Sequence, residues 1–164
     1  MILSKLFARK PIAAQRLYEA IVAGARQEKF YAEMDVPDTL DGRFDMIVLH
    51  MYLVLDRLRG EAGDMNQQLT DTFFKDLDRT LREMGIGDLS VAKKIRPMAE
   101  AFAGRVKAYA TASEEGVLVR ALQRNVYGGA ANPKASELAK WTEDTKTKLS
   151  SAPTKLILDG ELPL

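Results

Sequence analysis

No cysteine occurs among the 164 residues. Disulfides, thiolate metal sites and cysteine nucleophiles are thereby excluded, and a reducing compartment is permitted. Histidine is almost as scarce, with His50 alone. It has no acid three residues before it and no second histidine four residues away. Neither the Glu-x-x-His di-metal pattern of helical bundles nor the H-E-x-x-H zinc pattern can therefore be built. A Ser-His-acid triad would have to use His50, which no serine flanks, and Ser4, Ser90, Ser113, Ser136, Ser150 and Ser151 lack the context of a nucleophile elbow. Asp76 and Asp78 lie two apart, which on a helix turns them to different sides. Catalysis is not expected, and neither is a metal or cofactor.

Long apolar runs are missing too. The most apolar stretch is Ile47, Val48 and Leu49 followed, after His50, by Met51 to Leu55, far short of the roughly 20 residues that span a bilayer. The opening "MILSKLFARK" has no extended apolar core and no small-residue cleavage site, so it is not a secretory signal. It does place Ile2, Leu3, Leu6 and Phe7 beside Lys5, Arg9 and Lys10, and residues 1–10 are expected to form a segment able to lie on a membrane surface. Excess charge of one sign is lacking as well. The formal net charge is +1, which argues against a dedicated DNA binder. The charge is nevertheless unevenly placed: residues 61–88 hold seven acids against three bases, and residues 93–124 hold seven bases against three acids. The two stretches either form a dipolar surface or pair with each other as neighbouring helices.

What is present suits one globular domain. At 164 residues, 46% hydrophobic and 29% charged, the chain can bury roughly 70% of the surface it exposes when unfolded. Helical periodicity appears nearly everywhere and strand alternation nowhere. Pro11 suits a first turn, and Ala14, Leu17, Tyr18, Ile21, Val22 and Ala25 recur at three- and four-residue spacing, predicting a helix over about 11–30. A second is capped by Thr39 or Asp41 and ends at Arg59 with Gly60. Its stripe of Phe44, Ile47, Val48, Met51, Leu55 and Leu58 is joined by Leu49, Leu53 and Val54 on the other side, so it is expected at the centre. A third covers about 67–84, with Leu69, Phe73, Leu77, Leu81 and Met84 inward.

The stretch "REMGIGDLSVAKKIRPMAEAF", residues 82–102, resembles a phosphate loop only at first sight. A Walker loop or a dinucleotide loop needs a strand before it, and here a helix precedes, no third glycine follows, and Lys93 and Lys94 lie on the next helix. Gly85 reads as the left-handed residue that stops the third helix, with Asp88 or Ser90 capping a fourth. That fourth helix carries Val91, Ile95, Met98, Ala99, Phe102, Val106 and Tyr109 on one face, and Pro97 either breaks or kinks it. A fifth is expected over 114–127 and a sixth from Asn132 and Pro133 to about Ser150. The result is an all-α, single-domain bundle of about six helices over residues 11–150, with 151–164 as an extended or disordered tail.

Three segments, "PDTLDGRFDMIVLHMYLVLDRLRG", "FFKDLDRTLREMGIGDLSVAKKIRPMAEAFAGRVKAY" and "LVRALQRNVYGG", together resemble the ubiquinol-cytochrome c chaperone family, the assembly chaperones of respiratory complex III. The most specific part runs from Asp78 to Asp88 with Lys93, Lys94, Gly104 and Arg105. The run Asp41 to Phe44, His50, Arg57 and Leu58 add to it. The resemblance implies an all-helical, non-enzymatic protein that assists newly made cytochrome b before haem insertion. In mitochondria the family acts with a small co-chaperone near the ribosome. The short N-terminus lacks the long Arg- and Ser-rich, acid-poor leader of mitochondrial members, and so the chain resembles a bacterial member, working in the cytoplasm or at the inner face of the cytoplasmic membrane. A helical scaffold or regulatory module with a different client is the other reading that the residues permit.

Arg43, His50 and Arg57 recur at seven-residue spacing, which places them in one narrow row along the second helix. The row either borders a groove, rimmed by Arg82, Lys93, Lys94 and Arg105, where the client, a co-chaperone or a ribosome surface docks, or it is internal. In the internal reading Arg43 and Arg57 pair with acids such as Asp78, and His50 is a satisfied core residue.

Overall fold

A computed structural model of the chain describes the backbone of residues 2–114 and 116–164 and the side chains of residues 12–114 and 116–164. Among the described residues every regular element is a helix: α1 (Ile2–Ala25), α2 (Glu28–Ala32), α3 (Leu40–Arg57), α4 (Met65–Glu83), α5 (Asp88–Ala110), α6 (Val117–Asn125), α7 (Lys134–Ser151) and α8 (Thr154–Leu158). The membrane expectation for residues 1–10 rests on side chains outside the described residues.

The middle of α3 is buried all round, from Val48 to Val54 without a break. A helix apolar on every side has to be enclosed, and α1, α5 and α7 pack against it. Its start is fixed locally. Thr39 is extended, at φ −120° and ψ 169°, and its Oγ1 accepts the backbone N–H of Gly42 at 3.1 Å. That satisfies one of the N–H groups a helix start leaves without a partner. On the other side of α3, His50 meets Trp141 with ring centroids 5.0 Å apart, and Arg57 meets Leu149. Helices α3 and α7 therefore run in the same direction.

Helices α4 and α5 form an antiparallel hairpin. Gly85, at φ +83°, gives its N–H to Arg82 while Ile86 gives its own to Leu81, a glycine-terminated helix end as expected. Inside the hairpin Phe73 and Phe102 stack with centroids 5.1 Å apart, and rings buried in this way each contribute about 2–3 kcal/mol. The expected cap is different. Gly87 occupies the cap position with no side-chain bond, because the Asp88 carboxylate is drawn back to the guanidinium of Arg82. Pro97 neither ends nor restarts α5. The carbonyl it leaves without a helical donor belongs to Lys93, an exposed residue, where water can serve instead.

Two helices were not expected, and both are five residues long. The first predicted helix is divided at Ala25, with α2 following and burying Phe30. The tail over 151–164 is neither disordered nor wholly extended. It forms α8, buries Ile157 completely, and packs Leu162 and Leu164 against the core. Arg57 holds it, donating to the carbonyls of Leu149 and Ala152 and to Thr154 Oγ1 at 2.8, 2.9 and 3.0 Å.

Candidate partner-binding cleft

The row on α3 is not one exposed stripe. Arg43 is exposed and gives its Nε–H to Asp38 at 2.7 Å. His50 is 0% exposed. Its Nδ1 lies 2.8 Å from the Met46 carbonyl oxygen, so Nδ1 carries the proton and Nε2, buried, is left without a partner. Burial holds its pKa down at about 4, aided by nearby Lys29 and opposed by the Met46 bond. The ring is therefore neutral and inside the core. Arg57 is spent on the tail, apart from its NH1 bond to Glu61 at 2.7 Å. Seven-residue spacing gives a common direction, but the core closes over the middle of α3 and leaves its first turn outside.

The other basic candidates lie in separate places. Arg82 bridges Asp78 and Asp88 at the α4–α5 turn. Lys93 and Lys94 are exposed on α5, with no ion pair among the described residues. Among the described residues the ion pairs of α4 and α5 close within each stretch and not as an exchange between the two. The acids of α4 are answered within their own hairpin, Asp76 and Glu83 by Arg79, Asp78 by Arg82, and Glu100 of α5 is answered by Arg96.

Of these residues Arg105 lines a cleft beside the start of α3, whereas Arg43 lines a separate, smaller one with Tyr31 and Asp38. The larger of the two, about 550 Å³, lies between the start of α3, the middle of α5 and the end of α6 and is walled by Phe44, Asp45, Met98, Arg105, Asn125 and Tyr127 among others. Polar and apolar side chains share its lining, with Asp45 buried among them and Thr39, Asp41 and Arg124 exposed. Asp45, 5% exposed, sits 2.8 Å from Arg105 Nε. The N–H does not point at the carboxylate, so the contact is an ion pair and leaves both atoms without a directed hydrogen bond. Burial pushes the Asp45 pKa up to about 7 against the pull of Arg105, with Asp41 adding to the rise. The guanidinium lies over the Phe44 ring at 5.7 Å, a favourable cation–π placement. Below, the Asn125 amide neighbours the Tyr109 hydroxyl, yet neither group has a hydrogen bond of good geometry.

A cleft that brings apolar walls and a few polar groups together has the make-up of a binding site. Its donors and acceptors suit a peptide segment that brings apolar side chains and a polar group together. No set of three His, Cys, Asp or Glu side chains able to hold a metal exists among the described residues. Sequence reasoning missed Asp45, Asn125 and Tyr127. Only Asp45 carried a signal, as a lone acid within the apolar run Phe44 to Leu49.

A family model described as ubiquinol-cytochrome C chaperone matches residues 32–164. The chain is 29% identical over 120 residues to ubiquinol-cytochrome-c reductase complex assembly factor 1 of Xenopus laevis, covering 70% of this chain and 60% of that protein. It is 28% identical over 111 residues to the mitochondrial protein CBP3 of Saccharomyces cerevisiae, covering 63% of this chain and 33% of that one. The chain thus spans between about a third and 60% of the length of these relatives. The crystal structure of the Cbp3 homolog from Brucella abortus superposes with a TM-score of 0.83 at 39% identity, over 99% of this chain and 95% of that one. The family match runs from the end of α2 through every helix that walls the cleft, and the chain belongs to the ubiquinol-cytochrome C chaperone family.

Proposed function

We propose that this protein is an assembly chaperone for ubiquinol-cytochrome c reductase and that it holds newly made cytochrome b through the cleft between α3, α5 and α6. The observation that carries the reading is the buried Asp45–Arg105 ion pair in that cleft, whose Oδ1 and Nε meet at 2.8 Å without the alignment of a good hydrogen bond. Buried polar groups normally find partners, and each one left without costs about 1–3 kcal/mol. A bound segment supplying a donor to Asp45 or an acceptor to Arg105 recovers that cost, while Phe44 and Met98 receive its apolar side chains. Holding an apolar client this way needs no chemistry, in keeping with a sequence without a catalytic set.

The basic residues anticipated from sequence keep separate places in this reading. Arg105 acts at the cleft, Arg43 faces a separate pocket beside Tyr31 and Asp38, and Lys93 and Lys94 are free to meet an acidic co-chaperone or a ribosome surface. His50, Arg57 and Arg82 serve the chaperone by holding its shape. No described helix is long and apolar enough to cross a membrane, and we place the protein at the inner face of the membrane into which its client inserts.

The test fills the cleft without altering charge. Ala101 lines it, and Ala101→Trp should abolish recovery of cytochrome b with the tagged protein from solubilised membranes and lower haem-stained complex III, with little change in melting temperature. Normal recovery in a variant that melts normally would sink the cleft. An unrelated soluble partner recovered in place of cytochrome b would favour the module with a different client.

A further inference from the structure

The turn between α4 and α5 presents apolar side chains to water. Leu89 is 84% exposed and Met84 57% exposed, and Ile86 between them is half-buried. Leu89 is the most exposed of the large apolar side chains described. The turn itself requires none of this, because Gly85 and Gly87 make it and Leu81 and Val91 anchor it inside, at 4% and 1% exposure.

The charges around the tip divide unequally. Arg82 answers Asp78 and Asp88, Arg79 answers Glu83, and Arg96 answers Glu100. Lys93 and Lys94 remain without ion pairs among the described residues. On α5, Leu89, Lys93 and Arg96 fall within one narrow sector, turned away from Val91. An apolar point is thus followed, one turn along the same face, by an unanswered cation.

We propose that the tip of the α4–α5 hairpin is a lipid anchor, in which Met84, Ile86 and Leu89 enter the headgroup boundary of a bilayer while Lys93 and Lys94 meet anionic phospholipid. Apolar side chains immersed a few ångströms in the interface, with cations at headgroup level, form the usual arrangement of peripheral membrane proteins. A protein partner suits the tip less well. The tip is convex and offers three apolar residues, whereas a stable protein interface takes about 800 Å² from each side. A fluid interface accepts a convex point without a matching hollow. The inference deepens the peripheral placement proposed above but rests on the geometry of the tip, which does not depend on who the client is.

The experiment uses the full chain and vesicles of phosphatidylcholine with or without phosphatidylglycerol. Sedimentation should show binding to the mixed vesicles that falls as salt rises. Binding should weaken by tenfold or more in Met84→Ser/Leu89→Ser and in Lys93→Glu/Lys94→Glu, both melting as the parent does. The emission of a Leu89→Trp variant should shift to the blue on the mixed vesicles. The proposal is overturned if the parent chain does not bind them. It is equally overturned if both tip variants bind normally while Leu6→Ser/Phe7→Ser does not. If the tip variants keep vesicle binding but lose recovery of cytochrome b or another protein, the tip is a protein contact and the lipid anchor is wrong. A chain that binds vesicles through the tip yet recovers no cytochrome b leaves the anchor standing and removes the client.

Discussion

Arg57, on α3, donates its Nε–H to the carbonyl oxygen of Leu149 at 2.8 Å, across 92 positions of sequence. That carbonyl lies in the last turn of α7, where it otherwise receives only the Ala152 N–H at 3.2 Å, which is shared with the Lys148 carbonyl. The same guanidinium also takes Ala152 and Thr154. Arg57→Ala should therefore destabilise the protein by about 2–3 kcal/mol, since it removes three charge-assisted hydrogen bonds to the tail and leaves the part-buried Ala152 carbonyl without its donor. Arg57→Lys should recover only part of this, because an ammonium cannot reproduce the planar fork. Urea denaturation measures both, and a change below about 0.5 kcal/mol for the alanine variant would show that the tail holds itself.

Two glycines should respond unequally to alanine. A Cβ at Gly42 would lie 1.9 Å from the backbone oxygen of Pro37, which cannot move without unmaking the entry to α3. At Gly85 a Cβ meets nothing within 4 Å, and only the φ of +83° opposes it. Gly42→Ala should cost about 3 kcal/mol or more and Gly85→Ala about 1 kcal/mol. Asparagine at 85 should be tolerated better, as it enters the left-handed region more readily. Thermal melts of the three variants test the order, and equal melting temperatures for the two alanine variants would refute it.

Much of this was legible in the chain. Thr39 announces α3, the apolar residues on both its sides announce its central place, and Gly85 announces the hairpin. The short helices α2 and α8 were not legible, because five residues hold little more than one period. Depth was the harder loss. Spacing tells which way Arg43, His50 and Arg57 point, but not how far the neighbouring helices rise around each. The cleft was hidden for a related reason. Asp45, Arg105 and Asn125 come from three helices, and nothing along the chain says that their faces converge.

Asp45 and His50 oppose each other across mildly acid pH. The folded pKa of His50, about 4, lies below its unfolded value of 6.5. Its contribution is complete above 6.5 and is lost as the pH falls toward 4. The folded pKa of Asp45, about 7, lies above its unfolded value of 3.8. Its contribution is complete below 3.8 and is lost as the pH rises toward 7. These amount to about 3 kcal/mol for His50 and about 4 kcal/mol for Asp45. Relative to the parent chain, His50→Phe should lose stability as pH rises from 4 to 7, and Asp45→Asn should gain it over the same range. Denaturation at pH 4.5, 5.5 and 6.5 reads the two slopes, and parallel curves for parent and variants would show that neither group titrates as its surroundings require.

The docking of the tail also orders events in time. A Cβ on Gly24 would stand 2.6 Å from a Leu164 methyl carbon and 3.2 Å from the His50 ring, and Gly160 lies against Arg16 and Ala20. The notch between α1 and α3 is thus filled by residues made long after both of those helices. A nascent chain can assemble the α4–α5 hairpin as it emerges, since those contacts are close in sequence, but the surroundings of His50 are finished only when the longest loop is closed. A chain cut short of Leu164 keeps a wet, apolar opening beside its central helix, the kind of surface that proteases and aggregation exploit. The core around His50 is thus complete only once the segment after α8 has been made and has docked.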